Sequence, residues 1–203
     1  MDVDSTLITA EVVELLAERA GTREAVAAVT ERAMRGEIDF AASLHARVAT
    51  LAGVPTAVLA DVLAEVRLSP GAVELVEGCA RRGWPLGLVS GGFEEVVAPL
   101  AARLGLTRYR ANRLEQAGGR LTGRVLGAVV DRAAKAVALR EWAAELGVPM
   151  DRTVAIGDGA NDLDMIEAAG LGVAWRAKPL VVERADVSLT GRLDEVLALA
   201  DAR

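Results

Sequence analysis

The chain has 203 residues, 52% of them apolar and 26% charged, which points to one domain with an insertion or two small ones and excludes disordered and low-complexity architectures. Its 29 acidic against 23 basic residues give a net charge of −6 and a pI near 5.0. With few aromatics to stack on bases, no nucleic-acid partner is expected. There is no apolar run of membrane-spanning length, and the N-terminal MDVDSTLITAEVV opens on acids where an export signal needs positive charge, so no membrane partner is expected. The lone Cys79 fits a reducing compartment, with the cytoplasm as the expectation. A homodimer stays open.

From 11 to 66, apolar residues at three and four spacing predict helices interrupted at Gly21, Gly36 and Gly53. Thr22 and Asp39 stand at N-cap positions, and the short connections predict a small bundle. Ser69-Pro70-Gly71 opens a further helix to Gly83, with Ser69 as its cap. A short apolar strand over 85–89 ends in Ser90-Gly91-Gly92, and a helix follows over 93–104. Segments 109–114 and 120–125 flank Gly118-Gly119 as a hairpin. A helix over 131–146, capped by Asp131, leads to a strand over 153–156, then Gly157-Asp158-Gly159 and a helix to Gly170. Short strands at 172–175 and 186–189 complete the alternation. The fold class expected is α/β: a parallel sheet with helices on both faces, binding ligands at the carboxyl ends of its strands.

The residue types that could carry chemistry fall at those ends. Asp2 and Asp4 are two apart, so extended backbone points both carboxylates to one side, where one could attack while the other handles protons. Ser90-Gly91-Gly92 offers a hydroxyl and open amides to a phosphate, or merely joins strand to helix. Asp158, Asn161, Asp162 and Asp164 crowd one strand-to-helix turn, a pattern suited to magnesium shared with a phosphate and unlike a calcium-binding EF-hand loop. Asp164 is expected at the surface. Only two of the basic residues are lysines, Lys135 and Lys178. Lys135 falls in a first helical turn, against the macrodipole, where a compact charge for phosphate would explain it. Glu11 and Arg47 could hold an amino acid's ammonium and carboxylate, or be plain surface charges.

The order DVDSTL, SGGF, a lysine, then GDGANDLDM resembles the haloacid dehalogenase superfamily, and specifically its phosphoserine phosphatase family. The resemblance extends to Tyr109-Arg110-Ala111-Asn112-Arg113-Leu114 and Leu121-Thr122-Gly123, and so covers essentially the whole chain. It implies a core of residues 1–9 and 68–203 with an inserted helical cap at 10–67. It implies Mg2+-dependent hydrolysis of O-phospho-L-serine, the last step of serine biosynthesis, through an aspartyl phosphate. Asp2 would be the nucleophile and Asp4 the acid, with a raised pKa. Asp2, the Asp4 carbonyl and Asp158 would ligate the metal, with Asp162 in support. Ser90, Gly91, Lys135 and Asn161 would hold phosphate oxygens. Glu11 and Arg47 would bind the serine moiety, and Met34 and Phe40 would line the pocket.

One departure stands out: the family places an apolar central strand before its first aspartate, and here only Met1 precedes Asp2. The first central strand is expected to be missing from the sheet. Two other readings remain: a phosphatase or phosphotransferase for another small phosphomonoester, and a folded but silent binding module.

Overall fold

A computed structural model describes residues 1–34 and 37–202. The expected stop at Gly36 lies outside them, as does the side chain of Met34. Four helices come first: α1 (Val12–Ala20), α2 (Arg23–Met34), α3 (Phe40–Ala49) and α4 (Val58–Glu65). In α1, Val12, Val13, Leu16 and Ala17 bury one stripe, and Gly21 closes the helix at φ 69°. Asp39 caps α3 by accepting the Ala42 N–H at 2.7 Å. Thr22 instead turns its hydroxyl back to the Ala17 carbonyl. The chain enters and leaves this module side by side: Ile8 and Leu68 form an antiparallel bridge, and Ser69 N–H bonds the Leu7 carbonyl at 2.8 Å.

Helix α5 (Ala72–Arg81) starts later than Ser69-Pro70 suggests. Gly71, at φ 84°, lies so close to Leu193 and Asp194 that a Cβ would meet their backbone nitrogens at 2.8 Å, and the Pro70 carbonyl accepts the Leu193 N–H. The turn is thus spent on docking the C-terminal segment, and the Ser69 hydroxyl is buried without a partner among the described residues.

Strand β1 (Leu88–Phe93) also differs from expectation: it starts after Pro85 and runs through Ser90-Gly91-Gly92 instead of ending there. Its parallel partner β2 (Tyr109–Ala117) holds it, with a register shift before Phe93 pairs Asn112. The Asn112 amide donates to the Gly91 carbonyl at 2.8 Å and accepts Val130 N–H at 2.8 Å, fixing the glycine stretch from the side. The following helix, α6 (Glu94–Arg103), therefore begins beyond the glycines. The hairpin is present as β2 with β3 (Arg120–Leu126), and Leu121 exchanges backbone bonds with the chain at Gly53 and Val54.

The second half follows the expected alternation: α7 (Arg132–Glu145, capped by Asp131), β4 (Val154–Gly157), α8 (Leu163–Ala168), β5 (Leu171–Trp175) and β6 (Val187–Leu189). Two short helices, α9 (Pro179–Val182) and α10 (Glu195–Asp201), were not expected; neither is long enough to show a clear period.

The strands form two three-stranded sheets, ordered β1-β2-β3 and β4-β5-β6, parallel throughout except for the hairpin. Met1 and Asp2 bridge them through hydrogen bonds. Asp2 N–H bonds the Ile156 carbonyl at 2.9 Å, Val89 N–H bonds the Met1 carbonyl at 3.0 Å, and the Met1 ammonium bonds the Gly87 carbonyl at 2.8 Å. Those two residues occupy the place of a central strand, and below them lies an apolar cleft of about 340 Å3 between Leu86 and Val154. No helix among the described residues is long and apolar enough to cross a membrane.

Candidate active site

A larger cleft, about 780 Å3, opens where the helical module faces the carboxyl ends of β1 and β4. Asp2, Asp4, Glu11, Phe40, Arg47, Gly91, Asp158 and Asn161 all share its walls. The structure thus gathers residues from five separate stretches of sequence. Ser90 and Lys135 are fully buried, beneath the walls.

Lys135 is the electrostatic centre. Its Nζ donates to Asp2 Oδ1 and to Asp162 Oδ1, both at 2.6 Å. The Asp131 cap starts α7 so that Lys135, one turn on, projects under the sheet; the adverse helix dipole is outweighed by two carboxylates. Burial disfavours its ammonium, yet those carboxylates raise its pKa above the ordinary value. Asp162 Oδ2 accepts the amides of Asp158 at 3.2 Å and Gly159 at 3.0 Å, which shapes the turn after β4. Gly157 permits this approach: a Cβ there would meet the Asp162 side chain at 2.5 Å.

Burial, with the Asp162 charge next, pushes Asp2 up to about 7 despite Lys135. Asp158 is likewise raised to about 6 by burial, Asp162 and Glu11, against Lys178 and a 3.3 Å bond from the Thr6 hydroxyl. Asp4 is raised well above the carboxylate range by burial and by Glu11, the direction the sequence led us to expect. Its Oδ2 accepts Val12 N–H at 3.1 Å, while its buried Oδ1 has no partner among the described residues.

The glycines within β1 admit these groups closely. A Cβ on Gly92 would meet Asp4 Oδ2 and Ser90 Oγ at 3.0 Å, and one on Gly91 would meet the Phe40 ring at 2.8 Å. Ser90 Oγ accepts the Gly92 N–H at 2.8 Å, so that amide is taken up within β1 and does not open a helix. Across the cleft, Arg47 lies on α3 with its Nε on the Ser43 carbonyl at 3.3 Å. Burial lowers its pKa, against the nearby charges of Glu11 and Asp4.

Carboxylate oxygens of Asp2, Asp158 and Asp162 lie within 4.8 Å of one another, an oxygen-rich set able to hold a metal ion. Asp162 is already committed to Lys135 and two amides, which leaves Asp2 and Asp158 as the freer ligands.

Several contributors were not legible in sequence. Ser5 donates its hydroxyl to Glu11 Oε1 at 2.7 Å, and Thr6 reaches Asp158. Arg132 lines the cleft and pairs with Asp164, expected to be a plain surface acid. Lys178 lines the cleft too; its place among only two lysines was the available signal.

A family model for haloacid dehalogenase-like hydrolases matches residues 1–167. Carboxylates at the ends of parallel strands, around a buried lysine, suit that class. The phosphoserine phosphatase of Streptomyces coelicolor is 58% identical over 200 residues, covering 98% of this chain and 49% of that protein. The phosphoserine phosphatase of Streptococcus thermophilus is 50% identical over 190 residues, covering 94% of this chain and 88% of that protein. A solved structure described as a phospho-aspartyl intermediate analogue of phosphoserine phosphatase superposes with a TM-score of 0.91 at 38% identity, covering 98% of this chain and 95% of that one. The chain belongs to the haloacid dehalogenase-like hydrolases, within their phosphoserine phosphatase family. It spans about half the length of the Streptomyces relative.

Proposed function

We propose that this chain hydrolyses O-phospho-L-serine to L-serine and phosphate, with Mg2+, through an aspartyl phosphate on Asp2. The observation that carries the reading is a single cleft lined by Asp2 and Asp4 together with Glu11 and Arg47. Its relatives' names support it.

The ester's phosphorus would lie over Asp2, its serine carboxylate at Arg47 and its ammonium at Glu11. An Asp2 carboxylate oxygen attacks phosphorus as the bond to the serine oxygen breaks; that oxygen takes its proton from Asp4. Asp4 then accepts a proton from water as the water oxygen attacks phosphorus, releasing phosphate and regenerating Asp2. Burial raises the Asp4 pKa, the direction a general acid needs for the first step. Phosphoryl transfer is largely dissociative, so a carboxylate nucleophile suffices once charge is neutralised. Lys135 supplies part of that charge. Ser90, Gly91 and Asn161 would hold phosphate oxygens, Phe40 and Met34 would pack against the substrate, and Asp162 would hold Lys135 and the turn in place. Asp2, Asp158 and the Asp4 carbonyl would hold Mg2+, which supplies positive charge that keeps the carboxylates ionised against the phosphate dianion. Residues 10–67 would act as the cap over the core of 1–9 and 68–203.

Phosphate release from L-phosphoserine is the test, with Mg2+ or chelator, beside other phosphomonoesters and Asp2→Asn. Selective, metal-dependent release lost in Asp2→Asn is the expected result. Release from every ester alike would move the assignment to a general phosphomonoesterase.

A further inference from the structure

We infer that Ser5 is a positioning residue that aims Glu11 into the cleft and so sets selectivity for substrates bearing an ammonium group. The inference rests on the role proposed above for Glu11.

Ser5 has φ 59° and ψ 1°, left-handed backbone that strains a non-glycine residue. The turn is held there by Ser5 N–H on the Ala10 carbonyl at 3.2 Å and Ile8 N–H on the Val3 carbonyl at 3.0 Å. Glycine would adopt this conformation without strain, so the turn alone gives no reason for serine. The side chain does: its Oγ donates to Glu11 Oε1 at 2.7 Å, and both residues line the cleft.

Glu11 needs such a partner because of where it stands. It is the N-cap residue of α1, a place that Ser, Thr, Asp and Asn fill by bonding the first free amides. Here Asp4 Oδ2 takes the Val12 amide, and the Glu11 side chain makes no cap bond. The Ser5 hydroxyl holds the carboxylate toward the cleft instead. The bond also ties the Asp2–Asp4 turn to the first helix of the module, setting the distance between the attacking carboxylate and the ammonium site. A hydrogen bond to a charged group contributes more than one between neutral partners, and its loss lets a side chain with three torsions sample other rotamers.

The test is Ser5→Gly, which suits the left-handed backbone and removes the CH2OH side chain with its hydroxyl. Steady-state kinetics compare O-phospho-L-serine with 3-phosphooxypropanoate, which keeps phosphate and carboxylate at the same spacing but lacks the ammonium. Calorimetry with L-serine and 3-hydroxypropanoate gives the same comparison without turnover. Expected is a preference for the amino substrate or ligand reduced about tenfold, through KM or Kd more than kcat. Ser5→Asn, which tolerates left-handed backbone and can donate from its amide, should recover part of it. An unchanged preference in Ser5→Gly overturns the role of Ser5, as does an equal loss on both ligands. A parent chain with no preference in either measurement overturns the reading of Glu11 and this role with it. Serine binding weakened in Ser5→Gly without any turnover in the parent supports the role and sinks only the phosphatase reading.

Discussion

Fusing about four apolar residues such as Val-Leu-Val-Val ahead of Met1 should stabilise the protein, because the seam between the two half-sheets is built to take a strand. The N–H and C=O of a strand residue point to one edge, and Ile156 already gives its carbonyl to Asp2. Val154, one pleat upstream, presents its groups to the same side, as Gly87 and the Pro85 carbonyl do in the segment leading into β1. An added segment would run parallel to both, with side chains alternating between Leu75 and Cys79 on one face and Leu139 and Trp142 on the other. Burying four such side chains contributes about 8 kcal/mol. Ordering four residues costs a similar ~8 kcal/mol, while about four ladder bonds add ~1 kcal/mol each. The net gain of about 4 kcal/mol corresponds to a Tm rise of roughly 10 °C for a chain of this size. The fusion also turns the Met1 ammonium, whose pKa burial lowers to about 6, into a neutral amide. Differential scanning calorimetry gives the Tm, and hydrogen exchange at the Gly87, Val154 and Ile156 amides reports the pairing. An equally long Ser/Lys extension raising Tm as much, or exchange at those amides unchanged by the apolar one, would refute the reasoning.

Three other outcomes follow from the site. Lys135→Met leaves Asp2 and Asp162 facing each other without their cation, so urea unfolding should show a loss of about 3–5 kcal/mol and phosphatase activity should vanish; near-parent stability would mean the carboxylates are protonated anyway. Asp2 and Asp158 titrate near 7 and 6 in the folded chain against an ordinary 3.8, so between pH 4 and 7 the folded state holds protons that the unfolded state has released. Stability of the metal-free protein therefore falls as pH rises through that window, most steeply from 4 to 6, since the lowered Met1 amine acts in the opposite sense only between 6 and 8. Tm measured with chelator should be higher at pH 5 than at pH 7, and Mg2+ should close the gap; a flat metal-free profile contradicts the buried-carboxylate account. Gly157→Ala drives a methyl into the Asp162 side chain and should cost about 1–3 kcal/mol by denaturant titration, with activity falling further than stability.

What the sequence made legible was local or ordered along the chain. Asp39 and Asp131 were readable as caps because a cap is decided within four residues, and both accept the expected amide. The glycine and aspartate motifs were readable through their order. The strand running through Ser90-Gly91-Gly92 was not, because glycine carries little strand signal and the partner that holds it, Asn112, is some twenty residues on. Lys135 was noticed for its scarcity and its place against the dipole, yet its burial between two acids depends on Asp2 and Asp162 arriving from opposite ends of the chain. Ser5 was legible only as part of DVDSTL, with no sign of its conformation: its left-handed φ follows from bonds to Ala10 and within the turn.

The seam and the site are one structure. Asp2 joins the half-sheets through its N–H on Ile156 and, through its side chain, anchors Lys135 and with it the turn after β4. A loosened seam would therefore displace the carboxylate proposed to attack phosphorus before it unfolded any helix. Since a misplacement of about 1 Å can cost on the order of a hundredfold in rate, turnover should report the state of the seam more sensitively than helix content. The apolar extension ahead of Met1 should accordingly raise kcat for phosphoserine as well as Tm. A gain in Tm with kcat unchanged would show that Lys135 and the Ile156 bond already hold Asp2 in place without a strand behind it.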